Sequence, residues 1–179
     1  MSGGTTGAEN ATLTFMVGCD TNEEFEAAKS VLVGMGKNFF HCGGPGTGEI
    51  AKLTNNLVLG ITMVGTAEGM AIGEKLGIDP HVLQQVMAVS SARSWSVDVM
   101  CPRPGILPNA PSSHDYNGGF AVGLIKKDMN LAKGAAKKVQ ADTSMLESAM
   151  DYYQQLEDKG KGGKDFGYVF QYIMKNKNL

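Results

Sequence analysis

One long helical pattern constrains the fold of this chain more than any other sequence feature. It runs from Glu49 to about Leu76, and Gly77 ends it. Nearly thirty helical residues extend about 40 Å at a rise of roughly 1.5 Å per residue. The pattern therefore predicts a helix long enough to connect two parts of a protein.

Three glycines interrupt this helix at intervals of four residues. Gly65, Gly69 and Gly73 share one face of the helix, although each glycine costs a helix roughly 1 kcal/mol. Close packing of a second helix on this face explains them best. The acidic residues Glu68 and Glu74 argue against a membrane dimer face. We therefore expect tight helix–helix contact at the glycines.

The segment before the long helix has a different pattern. Residues 12–18 alternate and are rich in β-forming residues, which predicts a strand. Thr21 is placed to cap a helix that runs to about Val33, and residues 37–42 form a second short strand. This strand–helix–strand order is typical of the last part of a doubly wound sheet.

The rest of the chain is predicted to be helical. We expect helices at residues 80–89 after the cap Asp79, around 93–99, at 120–139, at 144–157 after the cap Thr143, and up to 175 after the cap Asp165, with a proline-rich loop at 101–111. The fold class is therefore mainly α. A β-α-β segment over residues 1–44 precedes an all-helical domain over residues 45–179.

Composition narrows the possible functions. The chain has 179 residues, a normal hydrophobic content of 42% and a net charge of −2, with no basic stripe, so nucleic acid is a poor candidate partner. No apolar run is expected to approach the length of a membrane span. The three cysteines are widely spaced, which favours a reducing compartment. No Cys or His pair has zinc-ligand spacing, so we expect no metal.

The glycine-rich loop at residues 43–48 fails two phosphate-binding patterns. A P-loop needs lysine directly after its last glycine, and Glu49 stands there instead. Residues 46–51 fit G-x-G-x-x-A, but a dinucleotide site also needs an acidic residue at the end of a second strand. The residue at the required distance, Glu68, lies inside the long helix.

Lys52 and Asn56 follow this loop and share one face of the helix. The positive end of the helix dipole disfavours the charged form of Lys52, as a general acid–base lysine requires. Asn56 adds a donor and an acceptor one turn away. From spacing alone, a surface lysine with a capping asparagine is the simpler explanation of the pair.

The motifs around this pair resemble the β-hydroxyacid dehydrogenase family, and within it the 3-hydroxyisobutyrate dehydrogenases. The resemblance covers essentially the whole chain and includes the spacing of Gly43, Gly46, Gly48, Lys52 and Asn56, the stretch 55–79, and the segments 93–96, 104–105, 116–120, 127–128 and 131–132. It implies an all-helical domain like that of 6-phosphogluconate dehydrogenase, preceded by the β-α-β remnant of a Rossmann domain.

The resemblance also implies roles for individual residues. Lys52 would be the acid–base, and Asn56 would hold the substrate or orient the lysine. Ser2, Gly3 and Gly4 match a substrate-binding Ser-Gly-Gly, in which backbone N–H groups can cradle a carboxylate. Phe120 would line the pocket at the nicotinamide end, Lys127 would contact the cofactor, and Asp128 would orient Lys127 or a neighbour. Trp95 either borders the substrate pocket or packs in the core.

The implied activity is the NAD-dependent oxidation of 3-hydroxyisobutyrate to methylmalonate semialdehyde in valine catabolism. Related reductases of tartronate semialdehyde, glyoxylate or succinic semialdehyde are the alternatives, as is an inactive helical oligomerisation fragment. The main cofactor-binding domain is expected to lie outside this chain, which alone would be inactive. Family members form homodimers or homotetramers through the helical domain, in the mitochondrial matrix of eukaryotes or the cytoplasm of bacteria.

Overall fold

The computed structural model describes residues 1–175, and these residues are mainly helical with one small parallel sheet. The elements are α1 Gly4–Glu9, β1 Leu13–Val17, α2 Asn22–Leu32, β2 Gly36–His41, α3 Thr47–Lys75, α4 Pro80–Val89, α5 Trp95–Asp98, α6 Val122–Lys138, α7 Ser144–Asp158 and α8 Val169–Lys175, with 3-10 helices at Pro111–His114 and Phe166–Tyr168. The predicted fold class is confirmed. The residues divide into two compact units, Met1–Asn55 and a second that begins at Asn56.

The first unit contains the predicted strand–helix–strand segment. Strands β1 and β2 pair in parallel, with Val17 opposite His41 at their carboxyl ends. Thr21 and Glu24 form a reciprocal capping box at the start of α2, in which each side chain accepts from the other residue's backbone N–H. The sequence predicted the cap because threonine precedes two acidic residues in the first helical turn.

Helix α1 was not predicted, because its sequence, GTTGAE, is poor in strong helix formers. Local contacts hold it in place. Ser2 pairs with Thr14 of β1 through two backbone hydrogen bonds of 2.8 and 2.9 Å. Gly7 packs against Leu13, with only 3.1 Å available to a Cβ at that glycine. The strand therefore supports a helix that local preference alone does not specify.

Helix α3 has 29 residues, which corresponds to about 43 Å, and it begins two residues earlier than the sequence predicted. The expectation that no apolar run approaches a membrane span is wrong, because α3 is long and apolar enough to cross a bilayer. However, 44% of its most apolar window is buried inside the protein. The core helix of a globular protein meets the same criterion, and the complete burial of Met63, Ala67 and Met70 places one face of α3 in such a core.

The second unit contains one hydrophobic core, to which α3, α6, α7 and α8 all contribute. Met63 and Met70 of α3, Ile125 and Met129 of α6, Leu146 and Tyr153 of α7, and Val169 and Phe170 of α8 are among its buried members. The Tyr153 hydroxyl donates a 2.9 Å hydrogen bond to the Gly60 carbonyl oxygen. This buried bond ties α7 to α3, and the core fixes the positions of the helices that carry the candidate site.

Two of the three regularly spaced glycines of α3 pack closely against α4, as the sequence predicted. A Cβ at Gly69 would lie 2.9 Å from Met87, and one at Gly73 would lie 2.3 Å from Leu83. The third, Gly65, has no atom within 4 Å of its Cβ position. Within the described part of the chain, therefore, no helix packs closely at Gly65.

Two predicted helix caps differ from the structure. Thr143 occupies the N-cap position of α7, but its side chain makes no capping hydrogen bond. Asp142 accepts from the Ser144 backbone N–H instead, at 3.2 Å. Asp165 caps the short 3-10 helix Phe166–Tyr168, which continues into α8. The predicted cap therefore lies one helical segment upstream of α8.

Candidate active site

The glycine-rich loop leads directly into helix α3, and its last glycine packs on strand β1. A Cβ at Gly48 would lie 2.4 Å from the Met16 carbonyl oxygen, so the backbone leaves no room for a larger residue. Gly43 and Gly46 have φ angles of 106° and 90°, a conformation that glycine adopts at little cost. The start of α3 is thus fixed on the strand, and Lys52 follows Gly48 by about one helical turn.

Asn56 lies one turn after Lys52 on the same helix, and it is 1% exposed. Its side-chain Nδ2 donates a 2.6 Å hydrogen bond to Oδ2 of Asp128 on helix α6. The other oxygen of Asp128, Oδ1, lies 2.9 Å from the ammonium of Lys127. Asp128 therefore links an amide on α3 to a cation on its own helix.

This link fixes the orientation of the Asn56 side chain. A carboxylate can only accept, so Nδ2 must face Asp128 and the amide oxygen must face away from it. Hydrogen bonds to an ionised group are shorter and stronger than neutral ones, as the 2.6 Å distance indicates. The Lys127 side chain is 62% exposed and that of Asp128 is 13% exposed. The arrangement presents an oriented amide from the core and a cation at the surface.

Phe120 lies two residues before α6 and is partly buried against the core. Its ring meets that of Phe166 edge to face, with 5.8 Å between centroids. Its backbone N–H donates a 2.8 Å hydrogen bond to Oδ2 of Asp165. Sequence reasoning identified Asp165 only as a helix cap and missed its contact with Phe120, which is 45 residues away in the chain.

Ser2, Gly3 and Gly4 lie in the first unit, between the pairing with β1 and the start of α1. Gly3 is the N-cap residue of α1, with a φ of 136°. Ser2 is half-buried, and the backbone of Gly4 also has a positive φ, of 61°. Glycine favours a turn of this kind. The role of these residues in binding a substrate stays a prediction.

The structure brings together three of the predicted residues, Asn56, Lys127 and Asp128, through direct contacts. Phe120 belongs to the same unit. Lys52 lies in the first unit with Ser2, Gly3 and Gly4. Their catalytic and binding roles remain predictions.

Two other residues that the sequence singled out can be placed in the structure. Trp95 is 47% exposed, so it does not pack in the core. Glu68 lies within α3 and accepts a 2.8 Å hydrogen bond from the Tyr152 hydroxyl. Within residues 1–175, no group of three or more His, Cys, Asp or Glu side chains is arranged to hold a metal ion.

Comparison with known proteins identifies the family. Residues 46–173 match the family described as the NAD-binding domain of NADP-dependent 3-hydroxyisobutyrate dehydrogenase. This chain belongs to the 3-hydroxyisobutyrate dehydrogenase family. Residues 1–44 match the NAD-binding domain of 6-phosphogluconate dehydrogenase. The sequence resemblance is thus confirmed, and the chain is homologous to NAD(P)-dependent β-hydroxyacid dehydrogenases.

Individual relatives agree with this assignment. A probable mitochondrial 3-hydroxyisobutyrate dehydrogenase of Dictyostelium discoideum is 46% identical over 98% of this chain and 54% of its own length. An NAD-dependent L-serine dehydrogenase of Pseudomonas aeruginosa is 44% identical over 94% of this chain and 56% of its own. The chain spans about half the length of the curated relatives it matches.

A solved structure has the same fold. The 3-hydroxyisobutyrate dehydrogenase of Mycobacterium tuberculosis, determined with L-serine, superposes with a TM-score of 0.90 at 34% identity. The match covers 96% of this chain and 58% of that protein. The helical domain and the short β-α-β segment are therefore common to this family member and the present chain.

Proposed function

We propose that this chain supplies the acid–base residue of an NAD-dependent 3-hydroxyisobutyrate dehydrogenase, which oxidises 3-hydroxyisobutyrate to methylmalonate semialdehyde in valine catabolism. The observation that carries the proposal is the hydrogen bond between Asn56 and Asp128, one turn beyond Lys52 in a chain of this family. Such a link holds a substrate-facing amide in one orientation, which a site for hydride transfer requires.

The proposed chemistry assigns the proton to Lys52. Its neutral amine takes the proton of the substrate hydroxyl while hydride leaves the carbon that bears this hydroxyl, so that the C–O single bond becomes a carbonyl. Lys52 ends the step as an ammonium. Asn56 holds the substrate oxygen or the lysine, and Asp128 keeps its amide from rotating. Ser2 and the two glycines after it bind the substrate carboxylate through backbone N–H groups.

The residues present fit one end of a nicotinamide dinucleotide. Lys127 exposes a cation with three donors, suited to an oxygen of the cofactor, and Asp128 holds this ammonium at 2.9 Å. Phe120 adds an aromatic ring just before the same helix. When bound, the nicotinamide supplies the hydride acceptor. We propose NAD rather than NADP by analogy with the relative named for it.

L-Serine is a second candidate substrate. One relative is named as an L-serine dehydrogenase, and the Mycobacterium tuberculosis enzyme was solved with L-serine. In both molecules a hydroxymethyl group is attached to the carbon that bears the carboxylate. On that carbon 3-hydroxyisobutyrate has a methyl group, whereas L-serine has an ammonium group. The same lysine chemistry serves both, so the pocket wall must distinguish them. Reductases of tartronate semialdehyde, glyoxylate or succinic semialdehyde remain further alternatives.

The test is an activity assay of this chain fused to the N-terminal part of the Dictyostelium discoideum relative that lies outside the match. We expect NAD-dependent oxidation of 3-hydroxyisobutyrate with a higher kcat/KM than for the oxidation of L-serine with NAD, and higher than for the reduction of tartronate semialdehyde, glyoxylate or succinic semialdehyde with NADH. The unfused chain is the control, and we expect it to be inactive. A higher kcat/KM for another substrate would contradict the proposed specificity, and turnover by the unfused chain would contradict its dependence on a second domain.

We further propose a homodimer or homotetramer formed through the helical domain, located in the mitochondrial matrix if the organism is a eukaryote and in the cytoplasm if it is a bacterium. The Dictyostelium discoideum relative is named as mitochondrial, which supports the first location. Sedimentation of the chain at micromolar concentration tests the assembly. A monomer would contradict it, and would also count against a role as an oligomerisation module.

A further inference from the structure

Asp165 is a carboxylate in the core of the helical unit, where it is 2% exposed. Its Oδ1 accepts a 2.9 Å hydrogen bond from the Gly167 N–H. Its Oδ2 accepts a 2.8 Å hydrogen bond from the Phe120 N–H. The bond from Gly167 caps the 3-10 helix Phe166–Tyr168. The bond from Phe120 plays no part in this cap. Asp165 therefore joins the start of α6 to the segment before α8.

Phe120 is held by this segment from three directions. Besides the bond from its N–H to Asp165, its carbonyl oxygen accepts from the Phe166 N–H at 2.8 Å. Its ring also meets the Phe166 ring edge to face at 5.8 Å. Backbone and side chain are thus both fixed by two consecutive residues. A ring restrained in this way has a defined position, which a pocket wall requires.

Gly119, which precedes Phe120, leaves the space that the Asp165 carboxylate occupies. A Cβ at Gly119 would lie 2.3 Å from Oδ2 of Asp165 and 2.6 Å from Cγ of Pro111. The φ of Gly119 is also positive, at 68°. The turn can therefore bring the Phe120 N–H to the carboxylate only because position 119 has no side chain. The glycine at position 119 is therefore required by a hydrogen bond to a residue that lies 45 positions from Phe120 in the chain.

Burying this carboxylate costs free energy, because the ionised group loses its hydration. Burial raises the pKa of Asp165 from 3.8 to about 6, although the N–H groups of Phe120 and Gly167 oppose the rise. The phenols of Tyr116 and Tyr153 face it, and burial raises the pKa of both, so they remain neutral. A serine could cap the short helix at lower cost. A carboxylate offers two acceptor oxygens, one for each of two N–H groups on different segments.

We propose that Asp165 is a positioning residue for the substrate, which acts by holding Phe120 in place at the wall of the pocket. The inference rests on the proposed function and adds to it that Phe120, at the nicotinamide end of the site, also contacts the substrate. Loss of the carboxylate should free the Phe120 turn and weaken substrate binding. The dinucleotide contact of Lys127 should not change, since Lys127 is held by Asp128 and not by Asp165.

The contact itself can be tested by NMR on the full chain. We expect the Phe120 amide proton to lie far downfield at neutral pH and to move upfield with a midpoint near pH 6, as Asp165 becomes protonated. Asp165→Asn should abolish this titration. Glu74→Gln is the matched control, because it makes the same carboxylate-to-amide change at the Arg103 ion pair in the same unit, and it should leave the titration intact. A Phe120 amide shift that is the same in Asp165→Asn as in the unchanged chain at neutral pH would overturn the contact.

The functional consequence is tested in the fusion enzyme. We expect Asp165→Asn to raise KM for 3-hydroxyisobutyrate by about tenfold, with a smaller rise in KM for NAD because Lys127 still holds the dinucleotide, and with Glu74→Gln indistinguishable from the parent. If Asp165→Asn does not fold, Asp165→Ser, which retains one acceptor, replaces it. Unchanged KM for the substrate in a variant that has lost the amide titration would reduce Asp165 to a helix cap and overturn the proposal. A fusion inactive with every substrate would contradict the proposed function itself, while the amide titration would still report whether Asp165 holds Phe120.

Discussion

The side-chain amide of Asn56 donates a 2.6 Å hydrogen bond to the carboxylate of Asp128, across a separation of 72 residues in the chain. The bond joins helix α3 to helix α6 one turn beyond Lys52. Because Asp128 also meets the ammonium of Lys127 at 2.9 Å, one carboxylate orients both a buried amide and an exposed cation. This relationship can be tested directly by exchanging the two side chains.

Asn56→Asp should destabilise the helical unit, because it would place two carboxylates within hydrogen-bonding distance of each other. Breaking a buried hydrogen bond to a charged group costs about 1.5–3 kcal/mol, and like-charge repulsion adds to this. Adding Asp128→Asn to the same chain restores one donor and one acceptor. We expect the double variant to recover most of the lost stability in thermal unfolding, relative to either single variant.

Lys127→Ala is the control for this cycle, since it removes the surface cation and leaves the bond between Asn56 and Asp128 intact. It should change the free energy of unfolding by less than about 1 kcal/mol, because an exposed ion pair contributes no more than that to stability. Additive losses in the double variant would mean that Asn56 and Asp128 do not interact.

Asp165 should make stability depend on pH in a defined window. Its pKa is raised to about 6 in the folded chain, from 3.8, so the folded state binds more protons than the unfolded state between these values. The contribution of Asp165 to the free energy of unfolding therefore falls as pH rises from about 4 to about 6, by about 3 kcal/mol. Asp165→Asn removes this contribution.

Urea denaturation of the parent chain and of Asp165→Asn at several pH values measures the effect. The free energy of unfolding of the parent, minus that of the variant, should grow as pH falls from about 7 to about 4, because other titrating groups cancel in the difference. A difference that stays constant over this range would show that Asp165 does not titrate there.

Gly119→Ala should be much more destabilising than Gly118→Ala. Both glycines have positive φ, of 68° and 73°, so alanine costs about 1–2 kcal/mol at either position. Only at Gly119 does the added Cβ meet Asp165, at 2.3 Å, whereas nothing lies within 4 Å at Gly118. Overpacking adds about 1–3 kcal/mol at the first site. Thermal unfolding of the two variants checks this, and equal losses would contradict the close approach.

Glycine-to-alanine substitutions at two positions of helix α3 should have opposite effects on the stability of the chain. At Gly65 no atom lies within 4 Å of the Cβ position, so alanine should stabilise the helix by about 0.5–1 kcal/mol. At Gly48 the Cβ would lie 2.4 Å from the backbone oxygen of Met16, which cannot move aside. We expect Gly48→Ala to lower the melting temperature and Gly65→Ala to raise it. Destabilisation by Gly65→Ala would indicate a neighbour at that face.

Local sequence signals predicted most of the fold. Helix α4 begins after Asp79, whose carboxylate accepts from His81 and Val82, and the capping box at Thr21 starts α2 where it was expected. These signals act over three or four residues, so they can be read directly. Helix α1 was missed because contacts with strand β1, and not its own sequence, hold it.

The contacts that organise the candidate site could not be predicted in the same way. Asn56 bonds to Asp128 and Phe120 bonds to Asp165, and both contacts depend on the packing of segments that are far apart in the chain. The sequence indicated which residues could carry chemistry, through spacing and family resemblance. It did not contain a local signal for the partner that orients each of them, since a capping aspartate looks the same whether it holds one N–H or two.

The most direct test of the proposed chemistry is the rate of hydride transfer in the fusion enzyme after Lys52→Ala, measured in a single turnover with NAD and 3-hydroxyisobutyrate. Lys75→Ala, in the last turn of the same helix, is the control. Because general acid–base catalysis contributes about 10²–10⁴-fold, we expect the Lys52 variant to lose at least about a hundredfold in this rate while its NAD affinity and the control's rate are unchanged. A transfer rate within a few fold of the parent would contradict the assignment of Lys52 as the acid–base residue.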